Sequence, residues 1–247
     1  IYVPEVLSRG LVPEDVGSFY KQQLKWARGV YEVLFTELPA AFPTLTWRQR
    51  LSYATIGSYY AMGATTATYL LIPYVYLWTG VQPARMHFEE FLTHGGPVAL
   101  LGVLIYVYTQ RWLCHPEMER GLHWRGLMLK VASWPVFLAG TVLAVGRAEI
   151  PYIPTAKEAR RGRFLLLAWP HLLLLAVYLL TLAHTLYGRL ARTPEAQLAL
   201  SAEAVWAMTG FATLAVVLAS GGIYAAWRAR STPPDAAWDA IDPESIG

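Results

Sequence analysis

Residues 51–84 read LSYATIGSYYAMGATTATYLLIPYVYLWTGVQPA and contain no Asp, Glu, Lys or Arg, and this stretch decides the fold class. An α-helix needs about 20 predominantly apolar residues to cross a bilayer. Of the 247 residues, 55% are hydrophobic and only 15% are charged, whereas soluble domains carry roughly 25% charged residues. The sequence therefore predicts an all-α integral membrane protein. The same composition excludes a disordered protein, a disulfide scaffold and a soluble globular enzyme.

Charge and cysteine content narrow the partners further. The formal net charge is +3, but no basic stripe is interleaved with aromatic residues, so nucleic acid is not expected as a partner. The single cysteine, Cys114, cannot form an intrachain disulfide, and no metal cluster is expected around it. The chain begins at Ile1 inside a Pro-containing tract and has no signal peptide. We therefore expect a fragment that lacks an N-terminal part.

About four transmembrane helices are predicted from the apolar runs, at residues 53–78, 92–110, 165–187 and 204–227. A fifth segment, 131–146, is short and contains Pro135. Basic residues flank this segment on both sides, and a spanning helix would place one basic cluster outside, against the positive-inside rule. We therefore predict that 131–146 lies along or re-enters the cytoplasmic interface. Both ends of the chain are then cytoplasmic.

An amphipathic helix is predicted ahead of the first span, from about Phe19 to Leu38, with Ser18 as its N-cap and prolines ending it. Its apolar positions recur at helical spacing: Phe19, Trp26, Val30, Val33 and Leu34. Its polar surface is supplied by Lys21, Lys25, Arg28 and Glu32. Such a helix typically lies at the membrane interface. The residues that follow it, Trp47, Arg48 and Arg50, are predicted to anchor the chain there.

Gln22, Lys25 and Trp26 stand at i, i+3 and i+4, so they share one face of this helix. An indole can stack on a sugar ring, an ammonium can bind a phosphate, and an amide can donate and accept hydrogen bonds. The three side chains could together hold a sugar beside a diphosphate. The alternative is that Trp26 and Lys25 are ordinary membrane anchors.

The tract Gln22-Gln23-Leu24-Lys25-Trp26, preceded by Tyr2-Val3-Pro4-Glu5, resembles the processive family-2 glycosyltransferases. Bacterial cellulose synthase catalytic subunits are the best-known members of this family, and their signature is Q-x-x-R-W. This chain has Lys25 in place of the arginine, which keeps the charge but removes the bidentate fork.

A second stretch, Tyr152-Ile153-Pro154-Thr155-Ala156-Lys157, is similar to the F-x-V-T-x-K gating loop of cellulose synthases. The threonine and the lysine are kept, whereas Tyr152 and Pro154 depart from the pattern. A loop with a hydroxyl and an ammonium can close over a nucleotide diphosphate. The alternative is a solvated basic cytoplasmic loop.

The resemblance implies transfer from a UDP-sugar, with UDP-glucose and a cellulose-like β-glucan expected, coupled to export of the polymer. The substrate-binding residues that it implies are Gln22, Gln23, Lys25, Trp26, Tyr152, Thr155 and Lys157. Trp26 would support the acceptor sugar, Gln22 and Lys25 would border the donor, and Thr155 and Lys157 would coordinate UDP. The family's catalytic aspartates, including its T-E-D base, are not identifiable in the sequence, so no catalytic residue and no metal ligand is assigned.

The pair Glu14-Asp15 is interpreted as structural, because the T-E-D motif of the family should precede the Tyr2–Glu5 element. Mg²⁺ or Mn²⁺ is implied for the intact enzyme, without a ligand in this chain. His171 and His184, which have no acidic partner nearby in the sequence, are predicted to serve packing or interface roles.

The predicted organisation has three parts. Residues 1–50 end a glycosyltransferase domain, 51–230 form the channel region with 131–146 at the interface and a gating loop at 147–163, and 231–247 are a disordered cytoplasmic tail. The expected partners are the UDP-sugar, the growing polysaccharide, the lipid bilayer of the inner (plasma) membrane and an accessory secretion subunit. Two alternatives stay open: a synthase of another polysaccharide such as a β-1,3-glucan, and a non-catalytic translocator subunit.

Overall fold

The computed structural model of the chain describes residues 13, 15–81, 88–113, 121–148, 150, 164–191 and 201–231. These residues are largely helical, with no strand among them, so the predicted all-α membrane fold is confirmed. The α-helices are α1 Val16–Glu32, α2 Leu38–Ala41, α3 Trp47–Ile56, α4 Ser58–Thr79, α5 Phe88–Leu113, α6 Trp124–Ala132, α7 Trp134–Val145, α8 Trp169–Leu190 and α9 Ala202–Ser231. A π-helical turn at Val33–Glu37 and 3₁₀ turns at Phe42–Thr44 and Phe164–Ala168 complete the described elements.

Three stretches in the described part of the chain are long and apolar enough to cross a membrane: Glu89–Trp112, Phe164–Gly188 and Ala202–Arg228. They confirm the spans predicted at 92–110, 165–187 and 204–227. The span predicted at 53–78 is divided at Gly57 into α3 and α4. The 22 residues of α4 reach about 33 Å, but α4 is not among the three candidate spans.

The fourth candidate span is the pair α6 and α7, which meet at Ser133 with a bend of 42°. The bend has a local cause in Pro135, which has no N–H and whose ring would clash with the carbonyl four residues earlier in a continuous helix. A pair bent in this way is either one broken span or a re-entrant segment. The predicted single segment 131–146 is thus two helices, and its start lies seven residues earlier, at Trp124.

Helix α7 lies between α1 and α4, and a glycine permits each of the two close contacts. A Cβ on Gly140 of α7 would lie 2.6 Å from the Cβ of Ala27 in α1. A Cβ on Gly63 of α4 would lie 2.7 Å from the Cβ of Phe137 in α7. Phe137 and Ala27 are both completely buried there. The three helices therefore form one closely packed unit, and that unit carries the site described below.

A second core joins α4, α8 and α9, with the residues Leu70, Tyr74, Leu174, Ala212, Ala215 and Ala219 at its centre. Beside it, the buried His171 donates from Nε2 to the carbonyl of Ala132, where α6 ends, over 2.8 Å. Gly222 leaves room for the imidazole, since a Cβ there would lie 2.6 Å from Nε2. The predicted packing role of His171 is confirmed, and its bond satisfies a carbonyl that the break at Ser133 leaves without a helical partner.

Helix α5 differs from the other two candidate spans because none of its described residues is buried. Its contacts include Phe91 with Phe211 of α9, at 5.5 Å between ring centroids, and the Tyr106 hydroxyl with Nδ1 of His123, at 2.8 Å. An apolar helix that is exposed on all sides fits a lipid environment.

Candidate functional site

The helix that carries the predicted motif, α1, begins earlier than the sequence suggested. Its N-cap is Asp15, whose carboxylate accepts hydrogen bonds from the Ser18 N–H at 2.7 Å and from the Ser18 hydroxyl at 2.8 Å. The prediction that Ser18 is the N-cap is therefore wrong, although both residue types are good caps. The structural interpretation of Asp15 is confirmed, because the buried carboxylate is occupied by the helix terminus.

The far end of α1 widens into the π-helical turn Val33–Glu37, and helical structure continues through α2 rather than stopping at Leu38. Pro39 lacks the N–H that would bond to the carbonyl of Phe35, and its ring would crowd that carbonyl in a regular α-helix. The Leu38 N–H instead reaches back to Val33, which is the i→i−5 pattern of a π-turn. Proline therefore widens this helix without ending it.

One face of α1 is buried, and its residues are Tyr20, Gln23, Ala27 and Tyr31. Ala27 and Tyr31 pack into a core with residues of α4 and α7. Burial raises the pKa of the Tyr20 phenol to about 12, so this hydroxyl stays protonated at physiological pH. Gln23 lies on this buried face at 8% exposure. The structure thus sets Gln23 apart from the other three motif residues.

The opposite face of α1 carries Gln22, Lys25 and Trp26, within an arc of about 100° because each residue turns a helix by about 100°. The Trp26 side chain is 52% exposed, and Gln22 and Lys25 are half-buried. Gly29 lies on the same face, and a Cβ built on it would meet nothing within 4 Å. The structure therefore brings three of the predicted site residues together on an open surface.

The apolar face predicted for α1 is only partly the buried one. Trp26 and Val33 were assigned to it, yet their side chains are 52% and 46% exposed. Arg28 was assigned to the polar surface, yet its side chain is only 15% exposed. Tyr20, Ala27 and Tyr31 are buried in their place, because the small Ala27 allows α7 to approach so closely.

Arg28 connects α1 to the end of α7. Its Nε donates to the carbonyl of Ala148 over 3.0 Å, and its terminal NH1 group pairs with Glu32 one turn later. Arg28 was predicted only as part of the polar surface, and its contact joins it to a residue 120 positions away. A usable signal was the position of Arg28 beside Ala27, since a small residue at a helix crossing brings its neighbours onto the partner helix.

The described residues that flank the segment 149–163 on either side both contact α1. At one end, Ala148 accepts the hydrogen bond from Arg28. At the other end, the Phe164 ring packs over Gly17, where a Cβ would lie 3.1 Å from the ring. Gly17 and Arg28 are about 17 Å apart along the helix axis at 1.5 Å per residue. The predicted residues Tyr152, Thr155 and Lys157 belong to this segment and lie outside the described residues.

The open face of α1 offers groups suited to a glycosyl substrate. A half-exposed indole is a flat platform for the apolar face of a sugar ring. The Lys25 ammonium provides positive charge for a phosphate, and the Gln22 amide provides a donor and an acceptor. Over the described ranges there is no group of three or more His, Cys, Asp or Glu residues that could hold a metal ion. This part of the chain therefore offers no fitting site for the implied Mg²⁺ or Mn²⁺.

Comparison with known proteins gives matches to cellulose synthases over about a third of the chain. The chain is 30% identical over 73 residues to the UDP-forming cellulose synthase catalytic subunit of Pseudomonas fluorescens, covering 30% of this chain and 10% of that protein. It is 32% identical over 89 residues to the cellulose synthase-like protein D1 of Arabidopsis thaliana, which covers 34% of this chain and 9% of that protein. It is 28% identical over 79 residues to cellulose synthase 2 of Novacetimonas hansenii, which covers 32% of this chain and 5% of that protein.

The chain is similar to cellulose synthases. The resemblance first seen in the motif around Trp26 is thereby confirmed at the level of aligned sequence. The matched region spans a tenth or less of the length of these relatives. No family model and no solved structure matches the chain.

Proposed function

We propose that this chain is the membrane part of a processive glycosyltransferase that polymerises a sugar from a UDP-sugar and moves the polymer across the bilayer. UDP-glucose is the proposed donor and a cellulose-like β-glucan the proposed product. The similarity to cellulose synthases supports the reaction class and the polymer. The observation that carries the proposal is the open face of α1, with Gln22, Lys25 and Trp26 together on it.

Each of these side chains has a proposed role that follows from its chemistry. Trp26 supports the acceptor sugar by stacking, which holds a ring in place while allowing it to advance by one unit. Lys25 attracts the diphosphate of the donor as a point charge, and Gln22 orients sugar hydroxyls. Thr155 and Lys157 would add a hydroxyl and a second ammonium from the segment between Ala148 and Phe164, two residues that contact α1. Gln23, buried on the opposite face, supports the helix rather than the sugar.

The acid–base chemistry of the transfer is assigned to residues outside this chain. A base must accept the proton of the acceptor hydroxyl, and a metal ion would neutralise the departing diphosphate. Mg²⁺ or Mn²⁺ is proposed for the complete enzyme, together with the growing polysaccharide and an accessory secretion subunit as partners. Residues 1–50 are proposed as the end of the glycosyltransferase domain, 51–230 as the channel region with a gating loop at 147–163, and 231–247 as a tail.

The proposed location is the inner (plasma) membrane, with both ends of this chain on the cytoplasmic side. The described helices support a membrane protein by length and composition. The orientation is supported by the concentration of Lys and Arg residues on both sides of 131–146.

The proposal is tested with the full-length protein reconstituted in lipid vesicles of one orientation. UDP-glucose supplied at the cytoplasmic face with Mg²⁺ should give a polymer that accumulates on the opposite side. The polymer should be degraded by a β-1,4-glucanase and resist a β-1,3-glucanase. UDP-N-acetylglucosamine and GDP-mannose, offered in parallel, should give no polymer.

The two alternatives predict different results in the same assay. A β-1,3-glucan synthase would give a polymer with the reverse digestion pattern. A non-catalytic translocator would give no polymer from any nucleotide sugar, while still passing a preformed oligosaccharide. Either outcome would replace the proposed function.

A further inference from the structure

The contact between Arg28 and the end of α7 has features that go beyond ordinary helix packing. The Arg28 guanidinium is one turn or less from Lys25 and Trp26 along α1, yet its Nε is directed to the Ala148 carbonyl at 3.0 Å. Its other branch pairs with Glu32, and the side chain is only 15% exposed. A guanidinium held on two sides in this way is occupied by protein groups rather than presented to a phosphate.

The end of α7 is itself an unusual turn. The Ala148 N–H bonds to the Leu143 carbonyl at 2.9 Å and the Arg147 N–H to the Ala144 carbonyl at 3.1 Å, which is a Schellman arrangement. Arg147 occupies the position with positive φ, at 52°, that glycine normally takes. A residue with a Cβ adopts this conformation only where surrounding contacts hold it. The hydrogen bond from Arg28 to Ala148 is one such contact, on the residue that follows the strained one.

Helices α1 and α7 are also closely packed where they cross beside Arg28. A Cβ on Gly140 would lie 2.6 Å from Ala27 and 3.2 Å from the backbone nitrogen of Arg28. The backbone of Arg28 is thus fixed by the crossing, and its side chain reaches Ala148, which lies eight residues after Gly140 and beyond the end of α7. Two separate contacts therefore set the direction of α7 relative to the open face of α1.

We propose that Arg28 is a positioning residue that fixes the strained C-terminal turn of α7 on the helix bearing Gln22, Lys25 and Trp26. The expected effect on sugar transfer rests on the proposed function. The expected effect of Arg28 on the turn does not. If the turn is released, a smaller fraction of molecules has the binding-competent arrangement. The apparent affinity for the donor falls in proportion to that fraction.

The test uses the full-length protein in lipid and three variants. Arg28→Met removes the donor and keeps an unbranched side chain, Arg28→Lys keeps the charge without the planar fork, and Glu32→Gln removes the ion pair but keeps the bond to Ala148. Hydrogen exchange is measured at the amides of Gly146, Arg147 and Ala148, which are hydrogen-bonded within the turn. The KM and kcat for UDP-glucose are measured on the same preparations.

The proposal expects exchange at these three amides to rise about tenfold in Arg28→Met, the factor that corresponds to about 1.4 kcal/mol. Arg28→Lys should give a smaller rise, and Glu32→Gln should exchange like the unsubstituted protein. The KM for UDP-glucose should rise by about the same factor as the exchange in Arg28→Met, with kcat changed less than about twofold.

Three outcomes would overturn the proposal. Unchanged exchange in both Arg28 variants would show that the bond does not hold the turn. A raised KM with unchanged exchange would assign Arg28 to substrate contact instead. Faster exchange with an unchanged KM would reduce the contact to a purely structural one. If the unsubstituted protein forms no polymer from any UDP-sugar, the proposed function fails, while the exchange result still decides whether Arg28 holds the turn.

Discussion

Tyr20, Gln23, Ala27 and Tyr31 on one face of α1 are buried against neighbouring helices. On the other face the Trp26 side chain is exposed, and Gln22 and Lys25 are half-buried. The buried face is built for close approach, with Ala27 completely buried at the crossing with Gly140. The open face carries the indole of Trp26, which is 52% exposed. The difference teaches that the same 17-residue helix is fixed by one side and available for a substrate on the other.

The largest expected effect comes from removing the indole on the open face. Polymer formation by Trp26→Ala in the full-length protein should fall by about 100-fold or more, because a sugar that is not held in register reacts poorly. Membrane insertion should be unchanged, since the side chain is 52% exposed. The assay is incorporation of labelled glucose, with insertion followed by membrane fractionation.

The matched control for this prediction is Trp47→Ala, which removes an indole that is 68% exposed on α3. This variant should keep most of the polymer yield, since Trp47 is predicted to anchor the chain at the interface. Equal losses in both variants, or a normal yield from Trp26→Ala, would mean that Trp26 is only an anchor.

The second prediction contrasts one substitution on the two sides of α1. Gly140→Ala should lower the free energy of unfolding by about 1–3 kcal/mol, because the new Cβ would lie 2.6 Å from that of Ala27. Gly29→Ala should instead raise it by about 0.5–1 kcal/mol, since alanine favours a helix and nothing lies within 4 Å. Thermal unfolding in detergent measures both. The same sign in both variants would contradict the assignment of a packed and an open face.

The third prediction concerns the segment 149–163, which contains Thr155 and Lys157. Inhibition by the product UDP should weaken about tenfold in Lys157→Ala, because a charged hydrogen bond contributes about 1.5–3 kcal/mol. Arg163→Ala removes a positive charge from the same segment outside the matched motif and should change inhibition less than about threefold. Equal effects from the two variants would indicate a general basic loop rather than a specific contact.

Much of this comparison could be predicted from the sequence, because helical spacing alone places Gln22, Lys25 and Trp26 on one face. The partner of the other face could not be predicted in the same way. Helix α7 is short and apolar, and such a segment looks the same whether it lies at a membrane interface or between two helices. The contact of Arg28 with Ala148 depends on that placement, so it was also beyond the reach of local patterns.

The N-terminus of α1 illustrates the limit of local signals more closely. Asp15 and Ser18 are both residues that cap helices, and only three positions separate them. The sequence does not decide which one takes that position. In the structure the choice falls on Asp15, and Ser18 becomes its hydrogen-bonding partner.

The smallest expected effect tests this cap. Asp15→Asn keeps an N-cap of similar strength. Its polymer yield should therefore stay within about twofold of that of the unsubstituted protein, and its free energy of unfolding within about 0.5 kcal/mol. Asp15→Ala should lower the free energy of unfolding by about 1 kcal/mol. Loss of polymer formation in Asp15→Asn, with stability intact, would identify the carboxylate as a chemical group rather than a cap.

The length of helix α5 determines how it fits a lipid bilayer of given thickness. Its candidate span Glu89–Trp112 has 24 residues, about 36 Å at 1.5 Å per residue, whereas the hydrocarbon core of a typical bilayer is about 30 Å thick. A helix longer than the core accommodates the excess by leaning or by thickening the lipid around it. No residue of this candidate span is buried, so its inclination follows acyl-chain length more readily than that of a packed neighbour.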